Sequence, residues 1–296
     1  MATGSKAKSK VAKHQGDYII PIMGPTGAGK SSFINLLFGG GEERVKVGHS
    51  LNSCTIDLQS IEIPQDAIQH HLPAWRTISS NPSKPAKLII VDTPGFDDTS
   101  ADDSEILKRV ADWLAKSYGS GAKLAGVIYL QDICQRRVTG ATKRNFEVFD
   151  KLCGKDACKS VVLGTTQWMR VPPNDYEMAG KREQELKENF WKEMIRKGST
   201  MQRVDDKATG ASPWDLLEAV LLKGESPLLQ IQSELMDLHK SLPQTEAAKA
   251  LRGRIDELIK SLKNAGASKE EIRALVREVQ ALKEKTFLDR LLFWRN

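Results

Sequence analysis

The chain has 296 residues, of which 40% are hydrophobic and 28% charged, and a formal net charge of +6. This length suffices for one domain of about 200 residues with a substantial core and a smaller additional part. Four of the positive charges lie in the first 16 residues, which contain no acid, so the remainder is close to neutral and a nucleic-acid-binding surface is not its expected main function.

The first 16 residues, with Lys6, Lys8, Lys10 and Lys13, predict a disordered, solvated basic arm. An arm of this kind can also touch an anionic lipid surface, so peripheral membrane contact stays open. The N-terminus lacks the apolar segment of a signal peptide, and residue 2 is Ala rather than the Gly that myristoylation needs. No run of 18 apolar residues and no CxxC pair occurs. These features predict a reduced, soluble, cytoplasmic protein.

The run from Gly24 to Ser31, GPTGAGKS, fits the pattern GxxxxGK[ST] and lies between two apolar segments. Tyr18 to Met23 (YIIPIM) predicts a buried strand, although Pro21 within it lacks a backbone donor and has no explanation at this level. Ser32 to Phe38 (SFINLLF) predicts a helix whose N-terminal amides face a bound anion. A glycine-rich turn before a helix is the alternative, but both flanking elements favour a phosphate-binding loop.

In such a loop the glycines let the backbone wrap around phosphates without a Cβ clash. Lys30 can reach the β and γ phosphates, which gives it a catalytic role, and the Ser31 hydroxyl can ligate Mg²⁺. The residues predicted to contact the nucleotide here are Gly24, Thr26, Gly27, Ala28, Gly29, Lys30, Ser31 and Ser32.

A polar loop follows the glycines at 39–41 and ends just before the alternating segment from Ile56 to Ile63. Thr55 lies at its end, where a switch threonine would complete the magnesium shell and contribute to catalysis. The hydroxyls of Ser50 and Ser53 are nearby, and an ordinary loop hydroxyl is the alternative. Thr55 is therefore predicted as a metal ligand.

The motif Asp92-Thr93-Pro94-Gly95 follows the buried strand predicted at 87–91 (KLIIV). A carboxylate at this strand end can anchor a phosphate-bound Mg²⁺ through water. The amide of Gly95 can contact a γ phosphate, so the loop would order with triphosphate and relax without it. After a P-loop, this motif favours a switch-bearing GTPase over a P-loop kinase, which would also need a basic lid.

The remaining pattern up to residue 222 alternates between strands and helices, as in a mostly parallel sheet covered by helices on both faces. A surface loop containing Pro73, Pro82 and Pro85 is expected between 63 and 87. The other predicted strands lie at 124–130, 160–163 and 201–204, and the predicted helices at 103–118, 142–152, 176–197 and 213–222.

Past Gly224 only helical patterns remain. Apolar residues recur at alternating spacings of three and four in three runs, at 228–242, 248–262 and 272–282. Each run is too short for an extended coiled coil, so helices packing on themselves, on the preceding domain or on a partner chain are the alternatives. The end of the chain, Phe287 to Trp294, is amphipathic and predicted to dock on protein rather than on a membrane.

Five segments together resemble fungal G-domain proteins, which are relatives of the immunity-associated, septin-like P-loop GTPases. The resemblance covers about residues 17 to 222 and is most specific in the first two segments. The segments are IMGPTGAGKSSFIN (22–35), DTPGFDDT (92–99), NFEVFDKLCG (145–154), VVLGTTQW (161–168) and FWKEMIRKGS (190–199).

The resemblance implies a base-binding site at Thr166, Gln167 and Trp168, where GTPases carry the motif N/TKxD. Met169 stands where that motif has its base-binding carboxylate, so guanine preference is expected to be weak. Trp168 could stack on a purine or could simply pack at the strand end.

Three further residues bear on hydrolysis. Phe96 stands where Ras-like enzymes place the water-orienting Gln, so slow intrinsic hydrolysis is expected. Arg136 and Arg137 could act on phosphates in trans if the domain dimerises face to face, as the septin-like resemblance implies; solvated side chains are the alternative.

The sequence thus predicts a basic tail (1–16), a Ras-like α/β P-loop domain in a three-layer sandwich with a mostly parallel sheet (17–224) and a helical appendage (225–296). The expected ligands are GTP or GDP with Mg²⁺, held by Ser31, Thr55 and Asp92, and Lys30, Thr55 and Gly95 carry the catalytic roles. The expected function is a switch with slow, association-assisted hydrolysis, as a homodimer through the G domain or the helices. The alternative is a nucleotide-loaded scaffold with little or no hydrolysis whose C-terminal helices recruit a partner.

Overall fold

A computed structural model describes most of the chain. The described ranges are 16–39, 58–75, 86–95, 103–135, 140–204, 209–266 and 268–283. Thr55, Phe96, Arg136, Arg137 and the segment 287–294, for which the sequence makes predictions, lie outside these ranges.

Seven strands in the described part form one sheet. They are β1 (Tyr18–Met23), β2 (Gln59–Glu62), β3 (Leu88–Asp92), β4 (Lys123–Leu124), β5 (Val127–Asp132), β6 (Val161–Thr166) and β7 (Thr200–Arg203). The order is β2-β3-β1-β5-β6-β7, and the short β4 also pairs with β1. Only β2 is antiparallel to its neighbour among these strands, so the predicted mostly parallel sheet is confirmed.

Helices flank the sheet, separated by turns and short 3₁₀ or π segments. They are α1 (Lys30–Leu37), α2 (Gln65–His71), α3 (Asp103–Gly119), α4 (Gly140–Ala157), α5 (Tyr176–Glu185), α6 (Lys192–Arg196), α7 (Pro213–Leu221), α8 (Gln230–Gln232), α9 (Glu246–Asn264) and α10 (Lys269–Ala281). None of these helices is both long enough and apolar enough to cross a lipid bilayer.

The sheet has a separate core on each face, because successive strand residues point to opposite sides. Ile19 joins a cluster that includes the buried residues of α3 and α4, whereas Ile20 joins one that includes α1 and α7. This arrangement is the three-layer α/β sandwich predicted from the alternation of strands and helices.

The position of Pro21 in a central strand is explained by a gap between two neighbouring strands. The amide of Tyr18 donates to Lys87 O in the β3 direction, so by strand alternation residue 21 faces the opposite neighbour. On that side β4 ends at Leu124 and β5 begins at Val127. Pro21 therefore sits where the ladder changes partners, and its missing N–H removes little pairing.

Several local predictions were wrong. The region 65–71, predicted as surface loop, contains the helix α2. The helix predicted at 176–197 is divided by a π-helical segment, Leu186–Phe190. The first helical run after Gly224 is not one helix but α8, a π turn at Ser233–Asp237 and a 3₁₀ turn at Leu242–Gln244. Periodicity alone did not indicate these breaks, because the apolar spacing continues through them.

The C-terminal helices pack both on the preceding domain and on each other, which are two of the three alternatives left open by the sequence. Leu251 and Ile255 of α9 belong to the same buried cluster as residues of α3 and α4. Charged groups join the same interface: Arg254 lies 2.9 Å from Asp103, and the amide of Ser104 donates to Glu278 at 3.1 Å. Helices α9 and α10 therefore both contact the first turn of α3.

Candidate functional site

The loop between β1 and α1 has the backbone that its glycines permit. Gly24, Gly27 and Gly29 have φ values of 141°, 79° and 84°, a region that residues with a Cβ rarely adopt. A Cβ on Gly24 would lie 2.3 Å from the carbonyl oxygen of Leu130, whereas the space at Gly27 is open. Gly29 is the N-cap of α1, so the positive end of this helix lies at the loop. This is the geometry of an anion cradle.

Lys30 is held inside this loop. Its side chain is buried, and Nζ donates to the carbonyl oxygens of Gly24 at 3.1 Å and Pro25 at 2.9 Å. These two bonds keep the ammonium group on the loop that would surround phosphates. Ser32 lies in the first turn of α1. Ala28 is buried within the loop.

Two predicted metal-binding residues lie in contact. Ser31 Oγ donates to Asp92 Oδ2 at 2.8 Å, and Asp92 is fully buried at the end of β3. The register of the sheet explains the meeting, because Asp92 pairs with Ile22 beside the start of the P-loop. A hydroxyl and a carboxylate are the hard oxygen donors that Mg²⁺ prefers, so these residues fit this ion.

The second loop of the site, after β3, touches the first. Thr26 Oγ1 donates to the carbonyl oxygen of Gly95 at 3.3 Å, and a Cβ on Gly95 would lie 2.5 Å from the amide nitrogen of Thr26. Thr93 anchors this loop through a bond from Oγ1 to Ile22 O at 2.7 Å. Glycine is thus needed at position 95 because a Cβ would clash with Thr26, and not because of a positive φ.

The predicted base-binding residues Thr166 and Gln167 also reach the P-loop. Thr166 Oγ1 lies 2.8 Å from Ala28 O and 3.3 Å from Gln131 O, both acceptors. Gln167 has a φ of 66°, and its Nε2 would lie 3.1 Å from a Cβ on Gly29. The carboxyl end of β6 is therefore in direct contact with the phosphate-binding loop.

Trp168 differs from its neighbours, and its predicted contact with the base needs correction. Its indole is buried, and Nε1 donates to Thr165 Oγ1 at 3.0 Å. The guanidinium carbon of Arg203 lies 3.9 Å from the ring centroid and covers one face. The packing alternative holds, because the ring has no exposed face for a purine. Met169 is 52% exposed, and the next residue, Arg170, is exposed as well.

Sequence reasoning missed the polar network around Trp168. Thr165 Oγ1 donates to Glu183 Oε1 at 2.9 Å, and Arg203 donates to Glu183 Oε2 from Nε at 2.9 Å and from Nη2 at 2.6 Å. Arg203 Nη1 also donates to Tyr176 OH at 2.9 Å. No spacing signal reveals this network, because its members come from β6, α5 and β7.

The end of β5 also borders the loop after β6 (residues 167–170), called the base loop below because it contains two of the predicted base-binding residues. The amide of Cys134 donates to Asp132 Oδ1 at 2.7 Å, and Cys134 Sγ donates to the carbonyl oxygen of Gln167 at 3.4 Å. Burial raises the pKa of the Asp132 carboxyl, and the hydrogen bond from the Cys134 amide opposes this shift. Burial also raises the pKa of the Cys134 thiol. Cys134 is thus a protonated donor to this loop at neutral pH.

The fold and the site together define a P-loop nucleotide-binding domain with a carboxylate-ended strand beside the phosphate loop. The model of one protein family, described as 50S ribosome-binding GTPase, matches residues 19–166, half of the chain. The chain belongs to this family of GTPases.

Solved structures support the same fold. Toc33 from Arabidopsis thaliana, in complex with Mg²⁺ and GMPPNP, is 17% identical with a TM-score of 0.52, and the match covers 71% of this chain and 85% of that one. Its complex with GDP and Mg²⁺ gives the same values. A dimerization-deficient mutant of Toc33 is 16% identical with a TM-score of 0.53 over the same shares. Among curated proteins no match was found.

Proposed function

We propose that this protein binds GTP or GDP together with Mg²⁺ and hydrolyses GTP slowly, as a nucleotide-dependent switch. The contact between Ser31 and Asp92 carries the proposal, because it brings the predicted metal-binding hydroxyl and carboxylate together at the mouth of the P-loop. The family is one of GTPases, and the Toc33 structures contain GMPPNP or GDP with Mg²⁺.

In the proposed role, Gly24, Thr26, Gly27, Ala28 and Gly29 form the wall of the phosphate site and Ser32 lies beside it. Lys30 supplies the positive charge, and Ser31 and Asp92 hold the metal, together with Thr55. Bound Mg²⁺ would neutralise charge on the phosphates. Gly95 sits against Thr26, so a change in the phosphate loop is felt directly by the loop after β3. This contact supports the switch behaviour.

Self-association is the second part of the proposal. The G domain or the C-terminal helices would form a homodimer, and Arg136 and Arg137 are the candidates to act on the partner's nucleotide. In the structurally similar chloroplast translocon components atToc33 and psToc159, dimerization is important for the GTPase activity. We further propose a cytoplasmic location. We also propose a relation to the septin-like GTPases, based on the five sequence segments quoted above.

Single-turnover hydrolysis of GTP, measured across a wide range of protein concentrations, tests this function. The proposal expects a slow rate at low concentration and a rise with concentration. Nucleotide binding with little or no hydrolysis at any concentration would instead favour the nucleotide-loaded scaffold, which is supported by Phe96 and by the exposed Met169 in the place of the base-binding carboxylate. Failure to bind nucleotide at all would overturn both.

A further inference from the structure

We propose that Arg203 and Glu183 are positioning residues for the base subsite of the nucleotide site, acting through Trp168. The inference rests on the proposed nucleotide binding. Its basis is a closed ring of contacts that runs from Trp168 to Thr165, then to Glu183 and Arg203, and back to the face of Trp168.

Each link of this ring is short and directional. Trp168 Nε1 donates to Thr165 Oγ1 at 3.0 Å, and Thr165 Oγ1 donates onward to Glu183 Oε1 at 2.9 Å. Glu183 Oε2 accepts two hydrogen bonds from Arg203, whose guanidinium carbon then lies 3.9 Å from the Trp168 ring centroid. Arg203 is used for its planar fork and its ability to stack, which a lysine cannot reproduce.

The ring connects to the phosphate site through two successive residues of β6. Thr165 and Thr166 point to opposite sides of the strand, since side chains alternate. Thr165 bonds to Glu183 in the ring, whereas Thr166 bonds to Ala28 O in the P-loop at 2.8 Å. The strand end is thus fixed on both sides, and the ring decides the position of the residues that follow.

The residues that follow are the ones that would meet a base. Gln167, with a φ of 66°, lies between Thr166 and Trp168, and Met169 comes next and is 52% exposed. When Trp168 is pinned on two sides, Gln167 is held in its left-handed conformation against Gly29 and Met169 is presented outward. Loss of the ring would release this loop without removing any residue that touches the ligand.

The partial burial of the ion pair between Arg203 and Glu183 favours a role in positioning over a role in stability. The side chains of Arg203 and Glu183 are 24% and 16% exposed. An ion pair in such surroundings contributes little net stability, because desolvation offsets its attraction, and fixing one conformation is the better-supported use. A comparison pair exists: Lys197 lies 2.9 Å from Asp150, with side-chain exposures of 24% and 22%, away from the base loop.

The test compares binding of Mg²⁺-GTP and of Mg²⁺-tripolyphosphate, which has no base, to the full chain carrying Arg203→Met, Arg203→Lys or Lys197→Met. We expect Arg203→Met to weaken GTP binding by about tenfold and leave tripolyphosphate binding unchanged. Arg203→Lys is expected to weaken GTP binding nearly as much as Arg203→Met. Lys197→Met is expected to leave the affinities for both ligands unchanged. The milder Tyr176→Phe, which removes one bond to Arg203, serves if Arg203→Met does not fold, and should shift the same ratio in the same direction.

Equal losses for both ligands, or the same result from Lys197→Met, would show that Arg203 acts only on stability. An unchanged ratio in all Arg203 and Tyr176 variants would likewise overturn the positioning role. Failure of the parent protein to bind either ligand is a different result, because it removes the nucleotide site itself. Binding of tripolyphosphate and GTP with equal affinity by the parent would mean that no base subsite exists to be positioned.

Discussion

The hydroxyl of Ser31 donates a hydrogen bond to the carboxylate of Asp92 across 2.8 Å, although 61 residues separate them in sequence. The start of α1 and the end of β3 therefore meet at one point. In the proposed function, a metal bound to nucleotide phosphates would lie at this point, held by Ser31 directly and by Asp92 through water.

Asp92→Asn should remove most of the Mg²⁺-dependent gain in GTP affinity. The amide keeps the shape but not the charge, and a hydrogen bond to a charged group contributes about 1.5–3 kcal/mol, so the loss should be about tenfold or more. Calorimetric titration with Mg²⁺ and with EDTA measures it. Asp175→Asn, at an exposed position in a 3₁₀ turn, is the control. An unchanged Mg²⁺ dependence in Asp92→Asn would contradict the metal site.

Lys30→Ala should abolish most of the triphosphate affinity while the protein stays folded. The mutation removes a charge-assisted contact of roughly 1.5–3 kcal/mol. It also removes the bonds to Gly24 O and Pro25 O, so unfolding must be monitored beside the titration. Lys151→Ala, an exposed lysine on α4, should bind as the parent does. Equal affinity of Lys30→Ala and parent would refute the phosphate-binding loop.

Gly95→Ala should weaken triphosphate binding through space alone. The new Cβ would meet the Thr26 amide nitrogen at 2.5 Å, so either the P-loop or the loop after β3 must move. Gly180→Ala in α5 meets nothing within 4 Å and should stabilise the helix by about 0.5–1 kcal/mol. Competition binding of GTP and GDP compares the two variants. If both leave GTP affinity unchanged, the contact between the loops has no role in binding.

Met169→Asp should create a preference for GTP over ATP. A carboxylate at this position can accept two hydrogen bonds from guanine, which corresponds to about 3 kcal/mol or about 100-fold at most. Met178→Asp makes the same change at a similarly exposed methionine of α5 and should not alter the ratio. Competition binding with both nucleotides is the measurement. A parent that already prefers GTP beyond about 1,000-fold would mean that another residue reads the base.

Leu251→Ala should destabilise the nucleotide-binding domain as well as the C-terminal helices. Leu251 is fully buried in the cluster shared by α3, α4 and α9, and such a truncation costs about 2–5 kcal/mol. Leu222→Ala, at a 71% exposed residue, should have little effect. Urea unfolding followed by far-UV signal and by nucleotide binding measures both parts. Two separate transitions, with only the helical one shifted, would show that the helices at 225–296 unfold independently of the nucleotide-binding domain.

The sequence alone determined the parts of this protein whose chemistry is local. The GPTGAGKS run specifies a loop conformation through three glycines, and the Asp92 motif specifies a carboxylate at a strand end, because both signals lie within a few neighbouring residues. Alternation of strands and helices was enough for the α/β sandwich, since each apolar run can be buried in only a few arrangements.

The tertiary structure decided what depends on residues far apart in sequence. The ring of Trp168, Thr165, Glu183 and Arg203 exists only because β6, α5 and β7 meet, and it turned a potential base-stacking indole into a packed one. Pro21 became explicable only once the gap between β4 and β5 was located. Periodicity left three possible partners for the C-terminal helices, because an apolar stripe does not specify which surface covers it. In the structure they pack on α3 and α4 and on each other.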